Sequence, residues 1–584
     1  MGERQTIVDR LVFSAKAAAL QTLRGARDAI APPTHWPMAM EAWSGHRVEV
    51  RSPLFVDIRA EERAYELGKV QNLRTAVRRL NGVEVPEGAL FSFWRQIGRA
   101  TKRRSFANGR MLQSGCVVPS TGGGLCQLSN AMYQLALETG CEIVERHAHS
   151  VRLDRMPVHD ATVAWNYIDL RFRPRARVRM EWHLTGTELV GAFVCESSRA
   201  PKTRATFPVI AEPRSTGSAL PIETCGTCGK VDCSRHEAPN LPGHGEVHAF
   251  LVDAFWPEFD LYLQCTKQKN DWLMMPIDGA RWKLARYAWT CGGFAAAKAQ
   301  PAQTLIRSFR MRRIGPQGAR RQTAILRSSA DMARSMAAKL PAIVDHLVVD
   351  QTLLPELWKS GVLGGRTFDV LMHRLPMRVL QARLDDVAQR WPESQTAADF
   401  RAGSELLDLE DEALYRASRI ITAHSELARL FGTRVVHLDW AVPGPSTLRK
   451  QGQSTEKPRL YFPGPVTARK GAFLLRAALE GLDVELVWRG PELEGSNFWG
   501  TVTNRHINDT DESFAAVIQP AYLEDRPRLL LEAMAAGIPV ISTEACGIPH
   551  TDGIEVIRTG DFKALRSALQ EMIGQRRHSF STSC

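Results

Sequence analysis

The last part of the chain alternates short apolar runs with amphipathic helical segments, and that alternation admits few folds. KPRLYFPGPVTARKGAFLLRAALEGL reads as a strand, a glycine turn and a helix. ELVWRG reads as another short strand, and FAAVIQPAYLEDRPRLLLEAMAAGIPVISTEACGIP as strand, loop, helix, strand. Strands that alternate with helices build a parallel sheet with helices on its faces. Upstream, VHAFLVDAF, TAILRS, IVDHLVVD, TFDVLMHR and RIITAH supply similar apolar runs between helical segments. A chain of 584 residues has room for several full cores. The expected class is a multidomain α/β protein.

Within EDRPRLLLE, Glu524 lies in a loop and Glu532 on the helix that follows, so both can face one cleft. A solvated helix face is the plain alternative. With EAMAAGIPVIST behind it, the segment resembles the C-terminal half of a GT-B glycosyltransferase of the retaining class with an E-x7-E motif. That resemblance implies two Rossmann-like halves with a nucleotide-sugar donor on the second. By matching position, Glu524 would meet the donor sugar, Glu532 the ribose and Lys470 the diphosphate, with Gly464 shaping the same turn. A lysine and glycine backbone N–H groups both stabilise phosphate charge. The sequence departs from the pattern at Pro465, where the family usually has arginine after the first glycine; Arg469 is the substitute, from a different place. The closing helices of the fold read as shortened. The acceptor half would cover residues 246–445, and the donor half 446–584. His373 and Arg374 follow the strand TFDVLM at its C-terminal end, where α/β folds place ligands. Polar side chains with no role are the alternative for that pair.

A second region, Thr121 to Asp169, sets a glycine triplet, one cysteine, a helix, two histidines and an acid in order. Gly122, Gly123 and Gly124 permit a loop that leads into a helix whose apolar positions are Leu128, Met132, Leu135 and Ala136. Cys126 falls at the helix N-terminus, where the dipole favours a thiolate. Gly140 suits a C-cap. CEIVERHAHSVRL reads as a strand with His147 and His149 on one face, and ATVAWNYIDLRF as the next strand, ending near Asp169. Cysteine on a helix, histidine on one strand and acid on the next resembles transglutaminase-like and papain-like sites, where the histidine activates the thiol and the acid orients it. A packed cysteine with ordinary core hydrogen bonds, and a noncatalytic pocket for an envelope component, remain open. GGGLCQLSNAMYQLAL, ERHAHS and DATVAWNYIDLRF, preceded by LNGVEVPEGALFSFWRQIG, resemble the VanW family over roughly residues 75–175. Phe91, Phe93 and Trp94 would pack that core, with a sugar-stacking platform as the other reading. The module is expected to be α+β over 46–205.

Between the two regions, TCGTCGKVDCSRHE places Cys225, Cys228, Cys233 and His236 in the spacing C-x2-C-x4-C-x2-H, inside a Pro/Gly/Ser-rich linker at 206–245. Four such ligands in a dozen residues suit structural zinc; an iron–sulfur cluster or a redox-reactive loop are the alternatives. The remaining cysteines are scattered, against a disulfide framework. Residues 1–45 read as an amphipathic helical segment. Lys16 interrupts a signal-peptide core, so secretion is not expected; packing is the first reading and membrane-surface contact the second. MGERQT formally fits a myristoylation pattern. A hydrophobic content of 44% is that of an ordinary globular protein, and no apolar run is long enough to span a membrane.

The net charge of +12 reads as spread along the chain, with small clusters at Lys102, Arg103 and Arg104 and at Arg310, Arg312 and Arg313. Arg171, Arg173, Arg175 and Arg177 alternate along one strand face. With no nucleic-acid-binding motif beside them, anionic lipid, phosphate or a nucleotide-linked substrate are the expected attractions. The expectation is a cytoplasmic protein, at the inner membrane face if anywhere on a membrane. It would transfer a sugar from a nucleotide sugar to an envelope or polysaccharide acceptor. Cys126-dependent acyl transfer or amide hydrolysis, and a noncatalytic scaffold with degenerate modules, are the alternatives.

Overall fold

The computed structural model describes residues 7–39, 44–55, 63–113, 116–149, 159–196, 223–224, 246–314, 318–442, 444, 447–452, 457–508 and 512–581. They form two compact units. One holds residues 1–247 with 340–346 and 360–367; the other holds 248–339, 347–359 and 368–584. Cys225, Cys228, Cys233 and His236 lie outside the described residues. Among the described residues no group of three or more His, Cys, Asp or Glu is placed to hold a metal ion.

The first unit is built on an antiparallel sheet in the order His46–Pro53, Glu188–Cys195, Val178–Leu184, Glu84–Val85. In VRMEWHL every second side chain is buried, so Val178, Met180, Trp182 and Leu184 face the core. A smaller antiparallel sheet joins Phe91–Ser92, Arg171–Arg173 and Glu142–Glu145. Phe91 stacks on Phe172 at 4.9 Å, and Phe93 and Trp94 are buried beside them, so this aromatic cluster packs the core. The Cys126–Glu138 helix lays Leu128, Met132, Leu135 and Ala136 into the same core. Its chain leaves through Gly140 at φ 71°, a backbone conformation that suits glycine after a helix end.

Two strand expectations are corrected here. Among the described residues of CEIVERHAHSVRL, 141–149, the strand covers only Glu142–Glu145. ATVAWNYIDLRF is not one strand: Ala164 and Ile168 exchange backbone hydrogen bonds at 2.9 and 3.0 Å, closing a tight turn before the Arg171–Arg173 strand. Trp165, in that turn, packs edge-on against Trp94, so aromatic packing overrides the alternating pattern. The arginine row is also not a free stripe. Arg171 binds Asp169 and Asp28, Arg173 lies near Glu142, and Arg177 pairs with Glu84. The N-terminal Ile7–Ile30 helix is held by polar contacts: Arg24 donates to Glu145 at 2.8 Å and Gln21 to the Trp165 carbonyl at 2.7 Å. Leu11, Phe13, Leu20 and Leu23 on it are exposed. Among the described residues no helix is long and apolar enough to cross a membrane.

The second unit contains two doubly wound parallel sheets. The first has strands β1 His248–Leu251, β2 Trp272–Met275, β3 Ala296–Ala299, β4 His346–Asp350, β5 Thr367–Leu371, β6 Arg419–Thr422 and β7 Val435–His437, in the order β3-β2-β1-β4-β5-β6-β7. The other has β8 Arg459–Phe462, β9 Glu485–Arg489, β10 Asn504–Ile507, β11 Ala516–Gln519, β12 Val540–Thr543 and β13 Ile554–Ile557, in the order β10-β9-β8-β11-β12-β13. Both follow the Rossmann winding, which starts in the middle, grows to one edge and then reverses. The central strands are buried on both faces, which is why LYF, LVW and AVIQ read as continuous apolar runs. Reversal opens a crevice at the carboxyl ends of the first and fourth strands of each sheet. In the second sheet those ends are the loops after β8 and β11, which carry Lys470 and Glu524.

Candidate functional site

The loop after β8 runs through a single 3-10 turn, Ala468–Lys470, into the Ala472–Leu479 helix. Its partner loop, after β11, is bound to it: the N–H groups of Tyr522 and Leu523 donate to the Arg469 carbonyl at 2.8 and 3.1 Å. This brings the Lys470 ammonium onto the Glu524 carboxylate, with both side chains almost fully buried. Gln519 donates to the same carboxylate, and the Arg526 N–H donates to its other oxygen at 2.9 Å. Burial pushes the Glu524 carboxyl up, but the Lys470 charge and hydrogen bond outweigh it and hold the group below the usual range. Glu494 fixes the turn by accepting from the Ala468 N–H at 2.7 Å and from Ser394 at 3.0 Å. Glu532 is half-buried on the Arg528–Ala535 helix; burial raises its carboxyl, partly offset by the Arg489 charge.

Close approach of the two loops requires glycine at 471. Its φ is 79°, and a Cβ there would lie 1.9 Å from the Pro520 carbonyl oxygen. Gly471→Ala is therefore expected to destabilise the unit by about 2 kcal/mol or more, read by urea unfolding. An alanine variant with an unchanged midpoint would mean the loops separate without cost.

At the crevice lies a pocket of about 310 Å³, lined by Leu326, Met377, Leu380 and Phe400 and also by Arg469 and Asp525. Arg469 is 4.5 Å from the Phe400 ring centre. His373 lines the pocket, stacked on Trp256 at 4.9 Å, and its buried Nδ1 has no hydrogen-bond partner. Burial, helped by the Arg374 and Arg526 charges, pushes His373 down to about 3, so it is neutral at physiological pH. Arg374 donates to Glu410 at 2.8 Å. His424, buried, reaches the Glu524 carbonyl at 3.3 Å.

A separate constellation lies in the first unit. Cys126 begins its helix, with Sγ 3.5 Å from the Thr162 hydroxyl. His149 faces the thiol and also meets Asp160, with Nδ1 2.6 Å from Oδ1, while the His149 N–H donates to Oδ2 at 2.6 Å. Burial raises the Cys126 thiol, yet the His149 hydrogen bond and charge bring it below its ordinary value. Burial lowers His149, yet Asp160 and Cys126 raise it to about 10. The geometry favours a thiolate–imidazolium pair oriented by a carboxylate.

Comparison with protein families places these sites in known modules. The model described as VanW like protein matches residues 68–193, and that described as glycosyl transferases group 1 matches residues 457–575. This chain carries a VanW domain and a group 1 glycosyltransferase domain. The vancomycin B-type resistance protein VanW of Enterococcus faecalis is 35% identical over 115 residues, 19% of this chain and 42% of that protein. The uncharacterized protein YoaR of Bacillus subtilis is 27% identical over 103 residues, 18% of this chain and 34% of YoaR. The chain thus spans less than half the length of either relative. A sucrose-phosphate synthase from Thermosynechococcus elongatus is similar in structure at a TM-score of 0.35 and 14% identity, over 57% of this chain and 91% of that one. Anabaena HepE in complex with UDP is similar at a TM-score of 0.32 and 13% identity, over 58% of this chain and 95% of that one.

Within the VanW domain the structure joins Cys126 and His149 but not the other two residues that the sequence pointed to. His147 is exposed beside Glu145, with Nε2 3.2 Å from its carboxylate. Asp169 is buried and accepts from Ser92 at 2.6 Å, the Trp94 N–H at 3.1 Å and Arg171 at 2.7 Å, so it holds the aromatic core together. The carboxylate on His149 is Asp160, not a residue at the end of the following strand. Its signal was HDA directly before the turn, with no periodicity to mark it. Within the transferase domain, Lys470 and Glu524 meet directly. Gly464 lies beside Lys470, 3.9 Å from its Cγ to a built Cβ, and Glu532 stands apart near Arg489. Arg469 turns to Phe400 and lines the pocket.

Proposed function

We propose that the second unit transfers a glycosyl group from a nucleotide sugar to a hydroxyl of an envelope or polysaccharide acceptor, with retention at the anomeric carbon. The buried Lys470–Glu524 pair at the switch point of a Rossmann sheet carries this reading. In transfer, the bond from the anomeric carbon to the diphosphate oxygen breaks, a bond to the acceptor oxygen forms, and the acceptor hydroxyl's proton passes to the departing diphosphate oxygen. Lys470 would neutralise the departing diphosphate, Glu524 would hold the sugar and Glu532 the ribose. His373, neutral and with Nδ1 unpartnered, would take a hydrogen bond from the acceptor hydroxyl. Thermal shift across UDP, GDP and ADP sugars tests the donor site: one donor at about 100 times its Kd should add about 2.7 kcal/mol of stability. Lys470→Ala should abolish that shift; no shift with any donor would count against the reading.

A second reading attaches to the VanW domain, because His149 is hydrogen-bonded to Asp160 and its charge lowers the Cys126 thiol. We infer acyl transfer or amide hydrolysis through a Cys126 thiolate, with His149 as the proton carrier. Selective labelling of Cys126 by a thiol-reactive probe is its test.

A further inference from the structure

Eleven lysines and arginines, and no aspartate or glutamate, lie between Arg281 and Arg327. The positive charge that reads as spread when taken in short clusters is concentrated in this one stretch of the second unit. Three elements carry nine of the eleven: the turn at 281–286, the Pro301–Arg312 helix and the first part of the Ala319–Ala338 helix. They are tied together. Arg307, paired with the buried Asp253, also bonds Tyr287 directly after the turn, and Arg310 donates to Ser328 at 3.0 Å.

The Pro301–Arg312 helix is turned outward. Thr304 and Arg307 are its buried residues, while Leu305, Ile306 and Phe309 are exposed at 68%, 48% and 59%. At 100° per residue, Arg312 and the following Arg313 fall on the same side as Leu305, Ile306 and Phe309. Arg313 lies 4.0 Å over the Phe309 ring. In the neighbouring turn, Arg281, Trp282, Lys283, Leu284 and Arg286 are all exposed, Trp282 at 60%. Between the two helices a groove of about 450 Å³ is lined by Arg310, Arg320, Arg327 and Thr323. Arg310 also pairs with Asp331, which binds Arg334 as well. Among the described residues, Arg312, Arg313, Arg320 and Arg327 have no carboxylate partner. The other side of the Ala319–Ala338 helix, through Leu326, walls the pocket described above.

We propose that this face docks on an anionic lipid bilayer. The arginines match the headgroup charge, and the groove offers three guanidinium groups and a hydroxyl to a lipid phosphate. The exposed leucine, isoleucine, phenylalanine and tryptophan enter the acyl boundary, as in helices that lie in a membrane surface. Branched aliphatic side chains have no such partner on a nucleic acid, whose bases reward aromatic stacking instead. The site is independent of the Ile7–Ile30 helix and stands whether or not the chain transfers sugar.

Co-sedimentation of the full chain with vesicles tests it. Phosphatidylcholine vesicles containing about 30% phosphatidylglycerol should bind at least about tenfold more tightly than phosphatidylcholine alone at about 0.1 M salt, and less at about 0.5 M. Arg312→Glu with Arg313→Glu, and separately Leu305→Ser with Phe309→Ser, should each remove most of that binding with an unchanged melting temperature. Lys102→Glu with Arg103→Glu should leave it intact. Equal binding to both vesicles overturns the proposal. So does anionic binding that both α-helical variants retain, which would assign it to the Ile7–Ile30 helix. A stronger preference for single-stranded RNA than for vesicles also overturns it.

Discussion

Glu524→Gln is expected to lower nucleotide-sugar turnover by about 10²–10³-fold while far-UV circular dichroism stays that of the native chain. The size follows from what the carboxylate touches. It sits at the carboxyl end of β11, almost fully buried, with Lys470, Gln519 and the Arg526 N–H all directed at it. A glutamine keeps the shape and loses the charge, so Lys470 is left as a buried ammonium without its counter-ion. Removing one member of a buried ion pair costs about 3–5 kcal/mol, and replacing both by apolar groups often costs little. Lys470→Met and Glu524→Leu should therefore each lower stability by about that amount, and the double variant by distinctly less than their sum. Urea unfolding of the four proteins measures this. The pH dependence has a fixed sign. A carboxyl held low in the fold contributes stability above its unfolded pKa of about 4.3, and that contribution is lost as pH falls through the folded value. Strict additivity of the two single effects would mean the pair is not coupled, and unchanged turnover in Glu524→Gln would remove the role assigned to it.

The parallel sheets were legible because their cause is local. Strands buried on both faces must be apolar along their whole length, and LYF, LVW and AVIQ announce that directly. The loops that carry Lys470 and Glu524 were legible for a related reason, since a Rossmann winding places function at strand ends. The VanW site was legible only in part. Cys126 announces itself through the glycine loop and helix, yet its carboxylate does not. Asp160 and Asp169 both precede short apolar stretches, and only the turn closed by Ala164 and Ile168 decides which of them comes near His149. That turn is fixed by Trp165 against Trp94, a contact between residues far apart in sequence. The charge of the 281–327 stretch was present in the letters, but its meaning depended on which side of the Pro301–Arg312 helix faces outward.

Asp160→Asn and Asp169→Asn should have opposite consequences for the Cys126 thiol. His149 is raised to about 10 by Asp160 and Cys126 against the effect of burial, so it stays charged across the neutral range and holds Cys126 low. Iodoacetamide at pH 6 should then label Cys126 at least about tenfold faster than the exposed Cys265, because the thiolate is the reactive form. Asp160→Asn removes the charge that raises His149. The imidazole falls toward its ordinary value, the thiol rises, and labelling at pH 6 should drop by about tenfold or more. Asp169→Asn should leave the labelling rate unchanged and instead lower the melting temperature, since Ser92, Trp94 and Arg171 lose their common acceptor. The stability linkage has the opposite sign to that of Glu524. A histidine raised in the fold contributes stability fully below its unfolded pKa of about 6.5, and loses it as pH rises through about 10. Equal loss of labelling in both variants would return Asp169 to the site, and labelling no faster than Cys265 in the native chain would make Cys126 a packed thiol.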